Sequence, residues 1–470
     1  MRDSTALQPE GRSPLAELLV LALPTVAQMA SYTAMQFLDV WMLTRPGVAA
    51  DSGTAAANAG ILTFSVISLG VGTLFIVNTL ASQAFGRKDY PACGRYLWQG
   101  IWFSLLYALP LLPFCFFQLP LFHVWHEPHL AGMEDVYLRI TLASVVLKLL
   151  GVATNQYLLA VNRPLTVFLG TAAGMITNAV MSYVLIFGKA GFPAMGIVGS
   201  AHAMNIGIVV ETATFFAFAF LSPTRRMFHA LDWKLRPKEL WTLVRIGMPS
   251  GVQILADVLA WFMFCAWVMG QFGNAAMAAN VIMFRYLSVS FMPAFGIGTA
   301  VTALVGRYIG AGRPDLAEHR ARLGFRVAAT YGVACLLMYT VFREPLIRFF
   351  HPSEEVLRIG MSLLVLASVY QFGDIVYIIY YGALRGAGDT FVPAVATASL
   401  CWSITVIGGY VTARMFPQVG PLGPWLVATG YGVILAVFMF RRWKRGGWMS
   451  IHLDPPAASA KVFDPLVTGN

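Results

Sequence analysis

About twelve apolar runs of roughly twenty residues or more follow one another along the chain, and they constrain it more than any other feature. A run of that length spans the hydrocarbon core of a bilayer as a helix. Inside lipid every backbone N–H and C=O must be satisfied within the segment, which leaves helices or closed barrels. Barrel strands are about ten residues long and alternate strictly in polarity, a pattern the sequence lacks. The runs are 15–43, 55–82, 96–118, 137–160, 165–188, 197–221, 242–268, 276–305, 323–342, 357–384, 391–413 and 422–440. Only 11% of the 470 residues are charged and 58% are hydrophobic, whereas a soluble domain carries about 25% charged residues. The expected fold is therefore an all-α integral membrane protein of twelve transmembrane helices.

The net charge of +10 is not gathered on one domain, which argues against nucleic acid as a partner. The basic residues sit in short loops on one side. Arg87, Lys88 and Arg95 form one group, and Arg225, Arg226, Lys234, Arg236 and Lys238 a second. Arg307, Arg313, Arg320 and Arg322 form a third, and Arg441, Arg442, Lys444 and Arg445 follow the last run. The other side holds Arg45, Lys189, Arg343, Arg348 and Arg414, and the loop 119–136 there has no Lys or Arg. By the positive-inside rule both termini are cytoplasmic and the span count is even, in a cell inner (plasma) membrane. The first run is too long for a signal peptide and has no A-x-A cleavage site after it. The cysteines at 93, 115, 265, 335 and 401 are scattered and give neither a metal site nor a disulfide framework.

The two halves repeat. "LALPTVAQ" at 21–28 returns as "IGMPSGVQ" at 246–253, so that Pro24 and Gln28 correspond to Pro249 and Gln253. "ASQAFGRKD" at 81–89 returns as "VGRYIGAGRPD" at 305–315, and "LLAVNRPLTVF" at 158–168 as "ALRGAGDTFVP" at 383–393. The offset stays near 225 residues. Two six-helix bundles follow, 1–221 and 242–440, joined by a cytoplasmic linker 222–241 and followed by a tail 441–470. In parallel repeats of this kind the substrate site lies between the halves, and rocking gives alternating access.

Three carboxylates lie inside the runs: Asp39, Asp257 and Asp374. A charged Asp at the bilayer centre costs roughly 2.5–3.5 kcal/mol, so each is a functional candidate. Asp257 and Asp374 fall at similar depth and are expected to share a cavity and one cation or proton. Lys148 and Glu211 share a depth in the first half and are expected to form a structural ion pair. Arg285 is a candidate to counter Asp257 or to meet an anionic substrate group, and His202 is expected to be a packed polar residue. Pro24 and Pro249 remove a backbone donor inside a run and so kink the helix. With Gln28, Tyr32, Gln253 and Arg285 they are the expected cavity or hinge residues. The 33 Phe, 12 Trp, 17 Tyr and 21 Met suit a pliable cavity for varied apolar ligands.

The Pro-x-x-x-Gln helix ending in Asp39, "LVGRYIGAG" and "GDIVYIIYYGALRGAGDT", taken in order, resemble the multidrug and toxic compound extrusion (MATE) transporters over essentially the whole chain. The resemblance implies a two-lobed, V-shaped twelve-helix fold and efflux of amphiphilic, often cationic compounds driven by H⁺ or Na⁺, with no other cofactor. It also implies that Asp39, Asp257 and Asp374 are the coupling carboxylates, with Asp at 257 where many relatives carry Glu, and that Asn178 belongs to the first-half cation site. Where the family has Asp or Asn four residues later, this chain has Ser182. Where it has Thr in the sixth span, the chain has Met204, or Ser200 in a shifted alignment. Hard cations want several oxygen ligands, so the two losses favour a proton at Asp39. The expected partners are a small-molecule substrate and membrane lipids, and a monomer is expected. A lipid-linked precursor flippase of the same superfamily ranks second, because few basic residues line the runs. HExxH, GxSxG and His-rich clusters, which would mark an enzyme, do not occur.

Overall fold

The computed structural model describes residues 13–45, 48–49, 51–115, 122–124, 126–221, 225–451 and 453. Among these residues the regular structure is helical throughout, with no strand. Twelve spans are labelled α1–α12. The first bundle is α1 Pro14–Leu43, α2 Ser52–Gly86, α3 Tyr90–Cys115, α4 Pro128–Ala160, α5 Pro164–Phe187 and α6 Gly196–Leu221. In α4 the segments Pro128–Leu142 and Val145–Ala160 meet at 49°. The second bundle is α7 Pro237–Met263, α8 Gly273–Gly310, α9 Pro314–Val341, α10 Glu354–Ala387, α11 Phe391–Met415 and α12 Leu422–Lys444.

The 74 residues of Pro237–Gly310 are nearly all helical. At 1.5 Å per residue they would extend about 110 Å, several bilayers deep, so they must double back. They do so around Gly273, whose φ of 81° only glycine adopts freely. Across the turn the Trp261 and Phe284 rings lie 5.6 Å apart, and Asn280 donates to the Cys265 sulfur at 3.6 Å. Five of the twelve, α1, α4, α5, α7 and α9, start on prolines, whose missing N–H is harmless there. Ser13, Asp89 and Ser353 add side-chain caps at α1, α3 and α10.

The structure moves several sequence boundaries. α4 begins at Pro128 rather than 137, which shortens the expected 119–136 loop. Acids in its first turns lower the apolar character, but the helix buries them: Glu134 accepts from Asn58 at 2.7 Å and pairs with His126 at 2.8 Å. α7 begins at Pro237, so the linker is shorter than 222–241. Arg95, Arg307, Arg320 and Arg322 are helical rather than in loops. Arg307 and Arg320 are buried around Glu17 of α1, at 3.7 and 2.8 Å, and the Tyr308 hydroxyl donates to the same carboxylate. The expected tail beyond Leu453 and residues 1–12 lie outside the described residues.

Two hydrophobic cores form, one in each bundle, and the first turns of α1 and α7 are exchanged between them. Leu18, Leu21 and Ala22 of α1 pack in the core of the second bundle. Leu243 of α7, 225 positions after Leu18, packs in the core of the first. Where the bundles cross, glycines permit backbone contact, again in repeat-related pairs. A Cβ on Gly72 would stand 2.7 Å from the Gly251 Cα, and one on Gly296 would stand 2.8 Å from the Val26 nitrogen. A Cβ on Gly86 would collide with the Arg307 carbonyl, and one on Gly310 with the Gln83 carbonyl. Gly86 and Gly310 are 224 positions apart, as are Gln83 and Arg307. Polar bonds reinforce the crossing: Thr25 to the Gly296 carbonyl at 3.0 Å, Thr79 to the Arg385 carbonyl at 2.9 Å and Gln83 to the Gly386 carbonyl at 3.0 Å. All lie in the half of the molecule toward the basic turns.

Gly86→Ala and Gly310→Ala should each lower stability by about 1–3 kcal/mol, the cost of forcing a methyl into a packed contact. Gly60→Ala, a helical glycine with nothing near its added methyl, should be neutral or stabilising by up to about 1 kcal/mol. Thermal unfolding of the purified protein in detergent checks the order.

Candidate functional site

Within the second bundle, α7 and α10 bring two acids together. Pro249, Gln253 and Asp257 succeed one another at one-turn spacing on α7. The Gln253 amide donates to Asp257 Oδ2 and lies 3.2 Å from the Tyr377 hydroxyl. The other oxygen of Asp257 is buried and has no hydrogen-bond partner. Asp374 is buried on α10, and its carboxylate and that of Asp257 act on each other through space. Tyr370, Tyr377 and Tyr431 surround the pair. Among the described residues neither carboxylate has a basic partner. Arg285 is exposed on α8 and, among the described residues, forms no ion pair with Asp257, one of the two partners expected for it. Trp261, Phe264, Phe284, Tyr370 and Trp425 stack beside this site with ring centroids 5.4–6.2 Å apart.

At the corresponding place in the first bundle the chemistry is reversed. Gln28 and Tyr32 of α1 stand 225 positions before Gln253 and Asp257, and Lys148 of α4 stands 226 before Asp374. The Tyr32 hydroxyl donates to Glu211 of α6, and Thr171 of α5 donates to the same oxygen at 2.9 Å. The Lys148 ammonium is 3.9 Å from the other Glu211 oxygen and 5.0 Å from the Tyr32 ring centroid. The ion pair expected from sequence is therefore present, with Tyr32 and Thr171 as its unforeseen partners. Gln28 is fully buried, and neither of its amide atoms has a hydrogen-bond partner.

Asp39 sits apart, four residues before the end of α1, about 6 Å along the axis. It is half-buried and accepts from Ser182 Oγ at 3.0 Å. Asn178, one turn earlier on α5, is buried with its amide unpartnered. Tyr137 of α4 lies close to Asp39 and to Ser200, whose buried hydroxyl has no hydrogen-bond partner. Met204 contributes only its sulfur, 3.8 Å from the Tyr137 hydroxyl. Ser200 therefore brings the sixth-span oxygen to this place. His202 is exposed rather than packed. α1 runs unbroken through Pro24, as α7 does through Pro249. The helical irregularities lie instead at the π-turns Ala217–Leu221, Phe264–Val268 and Cys401–Gly408.

The sequence profile of the MatE family matches residues 24–184 and 249–411, more than half of the chain, once in each repeat. The "Probable multidrug resistance protein NorM" of Mesorhizobium japonicum is 29% identical, over 97% of this chain and 98% of its own. The "Multidrug resistance protein PmpM" of Pseudomonas aeruginosa is 29% identical, over 92% of this chain and 93% of its own. Among solved structures, one described as the outward-facing conformation of a multidrug resistance MATE family transporter superposes with a TM-score of 0.83 at 17% identity, over 94% of this chain and 98% of that one. A crystal structure of MATE in the straight conformation gives a TM-score of 0.82 at 18% identity, over 93% of this chain and 96% of that one. The chain belongs to the MatE family and is a multi-pass membrane protein.

The Lys148–Glu211 pair makes unequal demands on its two members. Without Lys148, Glu211 keeps the Tyr32 and Thr171 hydroxyls; without Glu211, Lys148 keeps only the Tyr32 ring. Glu211→Ala should therefore destabilise more than Lys148→Met, and the double variant should recover part of the loss. A coupling of about 0.5–3 kcal/mol is expected, read from thermal unfolding of the four proteins in detergent.

Proposed function

We propose that this MatE-family chain exports amphiphilic, cationic small molecules in exchange for H⁺ or Na⁺. The observation that carries the reading is the buried Asp257–Asp374 pair, ringed by tyrosines and without a basic partner. In this reading the two buried acids, in a medium of low dielectric, share a proton or cation. That gives the site a ligand whose binding differs between conformations, which is the condition for a ligand to shift an equilibrium. The adjoining Trp, Phe and Tyr rings offer faces to an amphiphilic cation. The multidrug resistance named for the NorM and PmpM relatives agrees with such a cargo.

In this reading Asp39 is a second coupling carboxylate. Ser182, Asn178 and Ser200 supply oxygens around it, too few acids for a strong Na⁺ cage and better suited to a proton. The lobes are residues 1–221 and 237–440, with 222–236 as the linker and both termini cytoplasmic. The crossing of α1, α2, α7 and α8 closes the cytoplasmic half, and the opposite half is the mouth. Pro24 and Pro249 mark where α1 and α7 leave one bundle for the other, and bending there accompanies rocking. The protein works as a monomer, and the chemistry is transport rather than catalysis. The buried arginines 307 and 320 are engaged by Glu17. They are therefore not free to receive the phosphates of a lipid-linked precursor.

The test is uptake and release of a fluorescent lipophilic cation by proteoliposomes under a pH gradient or a Na⁺ gradient imposed separately. A pH difference of about 1.7 units supplies about 2.3 kcal/mol per proton, at about 1.36 kcal/mol per unit, enough for a concentration ratio of about 50 in electroneutral one-to-one exchange of H⁺ for a monovalent cation. Asp257→Asn/Asp374→Asn should reduce gradient-driven flux to that of empty vesicles. Undiminished flux by this variant would overturn the reading. Asp39→Asn should insert normally and bind the dye, yet lose gradient-driven flux; full flux would reduce Asp39 to a structural residue.

A further inference from the structure

Residues 225–236, which lead into α7, are folded, not slack. Phe228 is buried and packs by its ring against Phe85, Tyr90 and Tyr157 at centroid distances of 5.8–6.3 Å. From there the chain climbs the flank of α3. Trp98 donates to the Ala230 carbonyl at 2.7 Å, Trp102 to the Trp233 carbonyl at 2.9 Å, and Gln99 to the Lys234 carbonyl at 3.2 Å. Gln99 also accepts from the Arg236 N–H at 3.0 Å. Trp102 is twelve residues past the start of α3 at Tyr90, so the segment rises about 18 Å along a membrane helix.

Its outward side is strongly apolar and basic together. Trp233 is 65% exposed, Trp241 64% and Leu231 60%, and no protein covers them. A shallow recess of about 390 Å³ opens at Leu231, lined also by Arg225, Arg226, His229 and Asp232. Asp232, the single carboxylate there, is already engaged by Arg236 at 2.8 Å, which holds its carboxyl below the usual carboxylate range. Among the described residues Arg226 forms no ion pair, and Arg225 makes only a 3.4 Å bond to the Phe220 carbonyl. Indole rings at interfacial depth beside unpaired guanidinium groups match the layered chemistry of a phospholipid: acyl chain, glycerol and anionic phosphate.

We propose that this recess is a binding site for one anionic phospholipid, its phosphate held by Arg225 and Arg226 and its chains lying along Leu231 and Trp233. A headgroup with net charge is selected over a zwitterionic one, because a choline ammonium would meet the same arginines. The lipid is seated on the segment that joins the two bundles, where it braces the segment against α3.

The test is native mass spectrometry of the full chain in detergent, titrated with phosphatidylglycerol or phosphatidylcholine. One equivalent of phosphatidylglycerol should bind more tightly than the rest, and phosphatidylcholine should show no such equivalent. A basic residue near an anionic surface contributes about five-fold in affinity, so Arg225→Ala/Arg226→Ala should weaken that equivalent about 25-fold. Lys238→Ala, basic and exposed in the same region but outside the recess, should leave it unchanged. If the double variant unfolds, the exposed single change Arg226→Glu serves in its place. In bilayers containing brominated phosphatidylglycerol, Trp233→Phe should remove part of the tryptophan quenching. Equal binding of phosphatidylcholine, an unaltered affinity in the arginine variants, or full displacement by millimolar inorganic phosphate would overturn the proposal; the last would mark a site for free anions.

Discussion

The exchange of helix beginnings between the two bundles is the constraint on which the rest of the structure depends. α1 starts in the core of the second bundle, through Leu18, Leu21 and Ala22, and ends beside α5 of the first. α7 does the reverse through Leu243. Neither bundle can complete its core alone. Apolar surface cannot drive this association inside lipid, where tails are as apolar as leucine. Close packing must do it, and the glycines at 72, 86, 251, 296 and 310 let backbones meet. The carbonyl bonds made by Thr25, Thr79 and Gln83 follow from that closeness.

Charges buried in the bundles divide into two kinds. Glu17 is satisfied by Arg307, Arg320 and Tyr308, and Glu211 by Lys148, Tyr32 and Thr171. Such groups hold elements in place, and losing one member strands the others in a medium that punishes it. Asp39, Asp257 and Asp374 have no basic partner among the described residues. The repeat makes the contrast sharp, because Lys148 and Asp374 occupy corresponding positions with opposite charge. The first bundle carries a paired cation at the place where the second carries an unpaired acid.

Much of this was legible because lipid forces the sequence to speak plainly. The twelve spans follow from run length, and the edges of α1 and α12 agree closely with the apolar pattern. The repeat registers Pro24 with Pro249 and Gly86 with Gly310 before any contact is known. The Lys148–Glu211 pair followed from depth alone. Other features were hidden because they depend on which helix faces which. Arg307 and Arg320 read as ordinary loop cations until Glu17, some 290–300 positions away, is packed against them. Arg285 has the chemistry of a counter-ion for Asp257 but is exposed on α8, and a helix of mixed polarity does not announce its rotation. The start of α4 was masked by Glu134 and Asp135, whose partners His126 and His123 become visible only in three dimensions.

The position of the glycine crossing has a mechanical meaning. α8 is one helix of 38 residues with Pro293 inside it, and its contact with α2 through Gly310 lies at its last turn. Two long helices whose closest backbone contact lies toward one end behave as a pair of tongs. Across about 30 Å of hydrocarbon, a tilt of roughly 10° at the joint displaces the far tips by about 5 Å, the width of a flat aromatic ring. Leverage of this sort lets a small angular change at a tightly packed fulcrum set the aperture at the opposite face.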